Sequence, residues 1–393
     1  APLAADGFCA PLSESDFTLA EAFRQAGYRT VGVTANFWLT PEMGMAQGFE
    51  TWKVVSARPG APKQYALGQQ VVTEAIDQLG QVLDEPFFGF INLMDAHAPY
   101  DPEPGAARFS SEAYRRLPLV RARAARQGEG LYSGDIYSSG LYELVNLEGR
   151  MPEESVQQIL VSLYDDEIGY VDAQLGRIVG FLQDRGRLDE TILVVAGDHG
   201  EAFFSHGLVN HGIGVHEETL RVPMLVRYPP RVAPGRVEDR VELIDVFPTL
   251  LRLAGVRELV SEELRTDSFG IDLLDPAARK GGRAALAESY YNGWERKRVR
   301  PELLRTTRAV VLDGWKYIDV RDGPGEPELY DLREDPDEQN DLFGSTLGAA
   351  ARDALLRELE RLSSGRAATW RGPAELSPEQ AERLRRLGYL EEK

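Results

Sequence analysis

The chain has 393 residues, 43% of them apolar and 27% charged, enough for roughly two or three structural units with a sizeable core and unlike a small disulfide-stapled scaffold. Its 63 acidic side chains outnumber 44 basic ones, a net charge of −19 that repels nucleic acid and anionic membrane. No run reaches the roughly 18 apolar residues of a membrane-spanning helix, and the single cysteine, Cys9, excludes an intramolecular disulfide.

The chain opens on Ala1 rather than Met, without the apolar run of a signal peptide, so it is expected to have been cut or processed upstream, and its localisation is left open. Thr18-Leu19-Ala20-Glu21 has the form of a capping box. Apolar residues follow at 19, 22, 23 and 26, and Gly27 supplies a stop, which predicts a short helix. The β-branched stretch from Thr30 to Ala35 predicts a strand, Val71 to Leu83 a helix, and Phe87 to Leu93 a second strand. Residues 101–150, rich in Pro, Arg, Gly and Ser, read as a long excursion over the active-site side. Apolar residues every three or four positions from 160 to 182 predict one long helix with a single buried stripe.

The runs Thr191 to Ala196 and Val222 to Arg227 predict strands buried on both faces, and Leu243 to Ala254 returns to helical period. This alternation predicts an α/β fold, a mostly parallel sheet sandwiched by helices, over residues 1–276. Beyond it, short strands at 284–289, 308–312 and 315–320 and a helix at 347–362 predict a smaller C-terminal α+β subdomain over 277–393. That unit is expected to end in a charged helical tail from Ala374 to Lys393.

Four of the five histidines fall between residues 199 and 216. Asp198 and His199 stand just past a predicted strand, flanked by glycines, where open α/β sheets hold their ligands. An adjacent carboxylate and imidazole there can point oxygen and nitrogen at one divalent cation. His206 and His211 are five apart, which places them on a loop rather than on one helix face. No His-Glu-x-x-His motif occurs, so a helical zinc-protease site is unsupported. His206 and His216 are read at least equally well as holding their loop by hydrogen bonds. The fifth histidine, His97, follows another predicted strand beside Ala98, Pro99 and Tyr100. There it is a candidate general acid, with an ordinary pKa near 6.5.

Taken in order, Thr18-Leu19-Ala20-Glu21 with Gly27-Tyr28-Arg29-Thr30, His97-Ala98-Pro99-Tyr100, Asp198-His199-Gly200-Glu201, Glu217-Glu218 with Arg221-Val222-Pro223, and Asp245-Val246-Phe247-Pro248-Thr249-Leu250-Leu251 resemble the sulfatases of the alkaline phosphatase superfamily. Trp315-Lys316-Tyr317, Glu328-Leu329-Tyr330-Asp331-Leu332 and Asp335-Pro336 resemble their C-terminal subdomain. The resemblance covers nearly the whole chain. It implies an alkaline phosphatase-like fold and metal-dependent hydrolysis of a sulfate ester, with a small-molecule or carbohydrate sulfate ester as substrate.

By the same resemblance, Asp198 and His199 match a pair of metal ligands. His97 matches the histidine at the leaving-group oxygen, and His211 falls where a basic residue contacts the ester's anionic oxygens. One divalent ion is implied, calcium first by family, with manganese or zinc also suited to an Asp and His pair. A periplasmic or secreted location is likewise implied only by family.

Family members also open with a strand bearing two aspartates and a Cys or Ser in Cys/Ser-x-Pro-x-Arg, the residue matured to formylglycine. Here Cys9-Ala10-Pro11-Leu12-Ser13 has Ser13 in place of Arg, and Cys9 lies only nine positions before Thr18. Cys9 is therefore rejected, no nucleophile is assigned in this chain, and the chain is expected to be a fragment that lacks that segment. Two alternatives stand beside the sulfatase reading. One is a phosphoesterase or phosphoethanolamine transferase of the same superfamily, and the other is a non-catalytic relative that binds an anion or carbohydrate. Residues 290–304, with Trp294 and the basic residues between Arg296 and Arg300, border the expected cleft, and that basic run reads first as a solvated loop.

Overall fold

The computed structural model describes residues 11–36, 38–57, 65–98, 100, 108–110, 142–259, 270–279, 282–290 and 299–366. Cys9, Trp294, most of the 101–150 excursion and the expected tail at 374–393 lie outside these. The α/β architecture begins with helix α1 (Leu19–Gln25). The Thr18 hydroxyl accepts the Glu21 N–H at 3.1 Å and the Glu21 carboxylate accepts the Thr18 N–H at 2.8 Å, so the capping box satisfies two N–H groups that the first turn leaves unpaired.

Strand β1 (Arg29–Thr34) then runs through the middle of a parallel sheet. It lies between β2 (Thr51–Val54) and β3 (Phe87–Asn92), in the order β2-β1-β3. Helix α2 (Gly68–Val82) covers one face by setting Val71, Ala75 and Leu79 against Val31 and Val33. Its other side, with Val72, meets Ile178 and Leu182 of the long helix α3 (Glu154–Asp184). On the opposite face, Ala22 and Phe23 of α1 and Leu250 and Leu251 of α5 (Val246–Ala254) pack with Phe88 of β3. Val194 of β4 (Leu193–Ala196) joins the same cluster. One layer of strands is thus sandwiched between helices, as the alternation predicts.

The strands at 193–196 and 224–227 depart from expectation in detail. β4 pairs antiparallel with β7 (Met224–Arg227), and neither is buried on both faces: Ala196 is exposed and Leu225 is 62% exposed. The reason is the connection. No crossover helix joins them, and the chain returns through the hairpin of β5 (Ala202–Phe203) and β6 (Val209–Asn210) and the single turn α4 (Glu217–Leu220). A direct return of this kind yields antiparallel pairing. Among the described residues, β3 pairs only with β1 and β4 only with β7, so each keeps one edge without a strand partner.

The C-terminal part is a four-stranded antiparallel sheet. Its order is β11-β10-β9-β8, with β8 at Ala285–Ser289, β9 at Thr306–Leu312, β10 at Trp315–Asp322 and β11 at Glu328–Asp331. Successive residues point to opposite faces. Val310, Tyr317 and Leu329 meet Leu355 and Leu359 of helix α6 (Ala349–Arg366), while Ala309, Ile318 and Tyr330 meet Val215 of the histidine-bearing loop. This second face is how the smaller sheet reaches the predicted site. No helix among the described residues is long and apolar enough to cross a membrane.

One ion cluster joins the two sheets. Lys316 of β10 is fully buried, with its Nζ 3.1 Å from Glu217 Oε1 and 2.7 Å from Glu338 Oε1. The other Glu338 oxygen accepts the Glu217 N–H at 2.6 Å. Truncating the lysine leaves the buried Glu338 carboxylate without its cation and Glu217 with only Arg240, 3.9 Å away. Lys316→Ala is therefore expected to lower the unfolding free energy by about 3–5 kcal/mol, read as a lowered urea midpoint. Lys316→Met, which keeps the volume, should cost a similar amount, because the loss is of charge compensation rather than of packing.

Candidate active site

The predicted site residues sit where strands end. His97 follows β3, and Asp198 and His199 follow β4. His211 follows β6 on the loop that α4 closes. The backbone of this loop is unusual: Phe204, His206 and Asn210 have φ of 69°, 51° and 74°, although none is glycine. Such left-handed conformations cost free energy unless the surroundings hold them. Asn146 supplies part of that support, its amide donating to the Val209 carbonyl at 2.8 Å and accepting the Val209 N–H at 3.1 Å. Arg300 donates to the carbonyls of Val145 at 2.7 Å and Gly207 at 3.3 Å. At this residue the reading of the basic run as a solvated loop is corrected, because the guanidinium is a carbonyl clamp.

A second constraint is a close backbone approach. Gly200 and Glu201 donate their N–H groups to the carbonyls of Thr219 and Glu218 at 2.8 and 2.9 Å. A Cβ at position 200 would stand 2.1 Å from the Glu218 oxygen. Only glycine fits, and its presence draws α4 against the Asp198-His199 turn.

Three imidazoles converge. The rings of His199 and His211 stack at 4.0 Å and 30°, and those of His97 and His211 meet edge to face at 4.9 Å. Each ring is oriented through Nδ1, which donates to the Ala98 carbonyl in His97 (2.6 Å) and to the Gly200 carbonyl in His199 (2.9 Å). His211 Nδ1 lies 3.2 Å from Glu201 Oε1. With Nδ1 carrying the hydrogen, the lone pair of His97 and of His199 is on Nε2, the form a metal ligand or proton acceptor needs. Burial, reinforced by the nearby His211, pushes His97 below its ordinary value of 6.5, so the free ring is neutral at pH 7. An anionic ester beside it pushes the other way.

Asp198 and His199 fit one divalent ion. His199 Nε2 and Asp198 Oδ1 are 3.9 Å apart, and both side chains are open to solvent. A carboxylate oxygen beside an imidazole nitrogen with a free lone pair is a donor pair that would suit zinc or manganese, and calcium through the oxygen.

Glu201 and Tyr100 were not assigned roles from sequence. Glu201 Oε2 accepts the buried Tyr100 hydroxyl, while Oε1 faces His211, so one carboxylate ties the His97 segment to the loop of His211. Both residues stood inside quoted motifs, yet they are 101 residues apart, and no spacing signal connects them.

His206 and His216 form a different group. Their rings stack at 3.8 Å and 11°. His206 is bonded through Nδ1 to the Glu218 carboxylate and through Nε2 to the Glu338 carbonyl, each at 2.8 Å. His216 Nε2 meets Glu328 at 3.0 Å. His206, His216 and Glu218 offer donor atoms within 4.8 Å of one another. In nearly parallel rings, however, the in-plane lone pairs do not converge, and both His206 nitrogens are engaged. The group is a hydrogen-bonded tie to the C-terminal sheet.

Comparisons with known proteins point to one family. The family model described as Sulfatase matches residues 4–256, and that described as N-sulphoglucosamine sulphohydrolase, C-terminal, matches residues 205–365. Arylsulfatase K of Xenopus laevis is 26% identical over 284 residues, which are 69% of this chain and 51% of that protein. N-acetylglucosamine-6-O-sulfatase of Bacteroides thetaiotaomicron is 28% identical over 193 residues, 48% of this chain and 33% of its own length. The chain spans about half the length of the Arylsulfatase K sequences from frog and chicken that it matches.

Among solved structures, a protein in complex with its substrate D-glucosamine-2-N,6-O-disulfate superposes with a TM-score of 0.63 at 19% identity, over 92% of this chain and 84% of that one. A phosphonate monoester hydrolase of Agrobacterium radiobacter superposes with a TM-score of 0.61 at 22% identity, over 94% and 84% of the two chains. These two share the fold.

The histidine ties make stability depend on pH with two signs. Burial opposes charge on His206, but the Glu218 carboxylate and the Glu338 carbonyl outweigh it and raise its pKa above 6.5. Its contribution is complete below pH 6.5 and is lost as pH rises through the folded value. Burial likewise opposes charge on Glu328, yet His216, Tyr330 and Arg305 bring it from 4.5 to about 2. That contribution is complete above pH 4.5 and is lost as pH falls toward about 2. In urea unfolding followed from pH 3 to 9, His206→Gln should flatten the alkaline limb and Glu328→Gln the acid limb.

Proposed function

The chain belongs to the sulfatase family, and we propose that it carries out metal-dependent hydrolysis of sulfate esters, with a sulfated carbohydrate as the class of substrate. The observation that carries this reading is the meeting of His97, His199 and His211 beside Asp198 at the strand ends. In the proposed roles, Asp198 and His199 hold one divalent cation, calcium first by family. A divalent ion held there polarises the ester's oxygens and favours a deprotonated nucleophile.

His211 lies against the ester's anionic oxygens and His97 at the leaving-group oxygen. His97 is neutral when free and gains its proton as the anionic ester raises its pKa, and it then gives that proton to the departing alkoxide. The Nδ1 bond to the Ala98 carbonyl keeps Nε2 as the nitrogen that does this. The preference for a carbohydrate rests on the N-acetylglucosamine-6-O-sulfatase among the relatives.

The nucleophile is proposed to come from sequence outside these 393 residues. No Cys/Ser-x-Pro-x-Arg stands in them, and β3 and β4 each keep an edge open to a further strand among the described residues. The reading frame upstream of Ala1 is the first test. An aspartate pair followed by Cys/Ser-x-Pro-x-Arg is expected, and its absence overturns the hydrolase proposal.

For the protein carrying that segment, cleavage of an aryl sulfate in preference to the matching aryl phosphate is expected. The reverse preference would favour a phosphoesterase instead. His97→Ala should lower kcat by about 10²- to 10⁴-fold, with the largest loss on esters of poor leaving groups. In calorimetric titration with calcium, manganese and zinc, Asp198→Asn and His199→Gln should each weaken the tightest binding by about 10-fold or more.

A further inference from the structure

We propose that Glu201 is a positioning residue that keeps the hydrogen of His211 on Nδ1, so that Nε2 is the nitrogen His211 presents to a bound ester. The inference deepens the functional reading and rests on it for the role of His211. The carboxylate is 5% exposed, and its two oxygens are shared between two partners, Tyr100 at Oε2 and His211 at Oε1. An ionised carboxylate only accepts hydrogen bonds. Both partners must therefore donate, which leaves Nδ1 of His211 protonated whether or not Nε2 also carries a hydrogen.

The surroundings hold this arrangement. Tyr100 packs edge to face on Tyr164 at 5.4 Å and against Phe203 at 5.9 Å, and Tyr164 meets Phe203 at 4.9 Å. The Tyr100 hydroxyl is buried with the carboxylate as its acceptor, so Glu201 cannot turn away without leaving a buried donor unpaired. His211 meanwhile stacks on the His199 ring at 4.0 Å and meets the His97 ring edge to face at 4.9 Å. The ring plane is thus set by stacking, and the choice of nitrogen within that plane is set by Glu201. An uncompensated imidazole in the same slot could place either nitrogen toward the ester, and only one serves.

The test reads the ring nitrogens directly. In long-range proton–nitrogen spectra of the 15N-labelled protein at neutral pH, the chain has only five histidines, and His211 is assigned by its loss in His211→Asn. Protonated Nδ1 is expected for His211 in the unsubstituted protein. Glu201→Gln should lose that state and give the Nε2–H tautomer or a mixture, with little change in the other four histidines. Tyr100→Phe, which leaves the carboxylate in place, should retain Nδ1–H.

A bare Nδ1 on His211 in the unsubstituted protein would overturn the inference, as would a Glu201→Gln spectrum in which His211 is unchanged. If Glu201→Gln does not fold, the unsubstituted protein and Tyr100→Phe still decide it. The spectrum needs neither metal nor substrate. A protein that carries the upstream segment and hydrolyses neither sulfate nor phosphate esters would sink the functional reading and leave this result standing, whereas a bare Nδ1 in an active sulfatase would sink this inference alone.

Discussion

Lys316 is the interaction on which the geometry depends. An ammonium group with no exposed surface, held between Glu217 and Glu338, costs several kcal/mol to dehydrate and persists only when its partners are in register. That requirement ties β10 of the C-terminal sheet to the first turn of α4. Through α4 it reaches the candidate site, since the Glu218 and Thr219 carbonyls receive the N–H groups of Glu201 and Gly200. Displacing the lysine would therefore move the turn that carries His199 and the carboxylate that faces His211. A buried ion cluster of this kind adds little net stability but strongly penalises other arrangements, which suits a joint that must align two sheets.

The strained loop between β5 and α4 is best understood from the same joint. Phe204, His206 and Asn210 adopt left-handed backbone conformations that isolated residues avoid. They are held because Asn146 and Arg300 bind the loop from one side and Glu218, Glu328 and Glu338 bind its histidines from the other. The histidines consequently divide into two functional sets. His97, His199 and His211 keep Nε2 away from the contacts that orient their rings, whereas His206 spends both nitrogens on the protein and His216 gives its Nε2 to Glu328. Neighbours in sequence fall into different sets because His211 meets Glu201 and the rings of His97 and His199, whereas His206 and His216 meet Glu218, Glu328 and Glu338.

Much of the fold was legible from local pattern. The capping box at Thr18 and Glu21, the stripe of α3 and the β-branched run of β1 each announce their element, since capping and burial act over a few residues. The strands at 193–196 and 224–227 were also legible, but their antiparallel pairing and partial exposure were not. Apolar runs report that a segment is a strand and not which edge is filled. β2 passed unnoticed because Thr51, Trp52, Lys53 and Val54 form too short a run to display a period.

The site divides along the same line. Strand-end positions brought forward Asp198, His199 and His97 as candidates, because residue type and position relative to a predicted strand are properties of the sequence itself, whereas His211 came forward only through the family resemblance. Tertiary structure alone decided that Glu201 would serve Tyr100 and His211 together, that Arg300 would clamp carbonyls, and that Lys316 would be buried between two glutamates. Each of these depends on groups brought together by the packing of two sheets. Buried charge must find compensation wherever the fold places it, and the identity of that partner is unknown until the chain has closed upon itself.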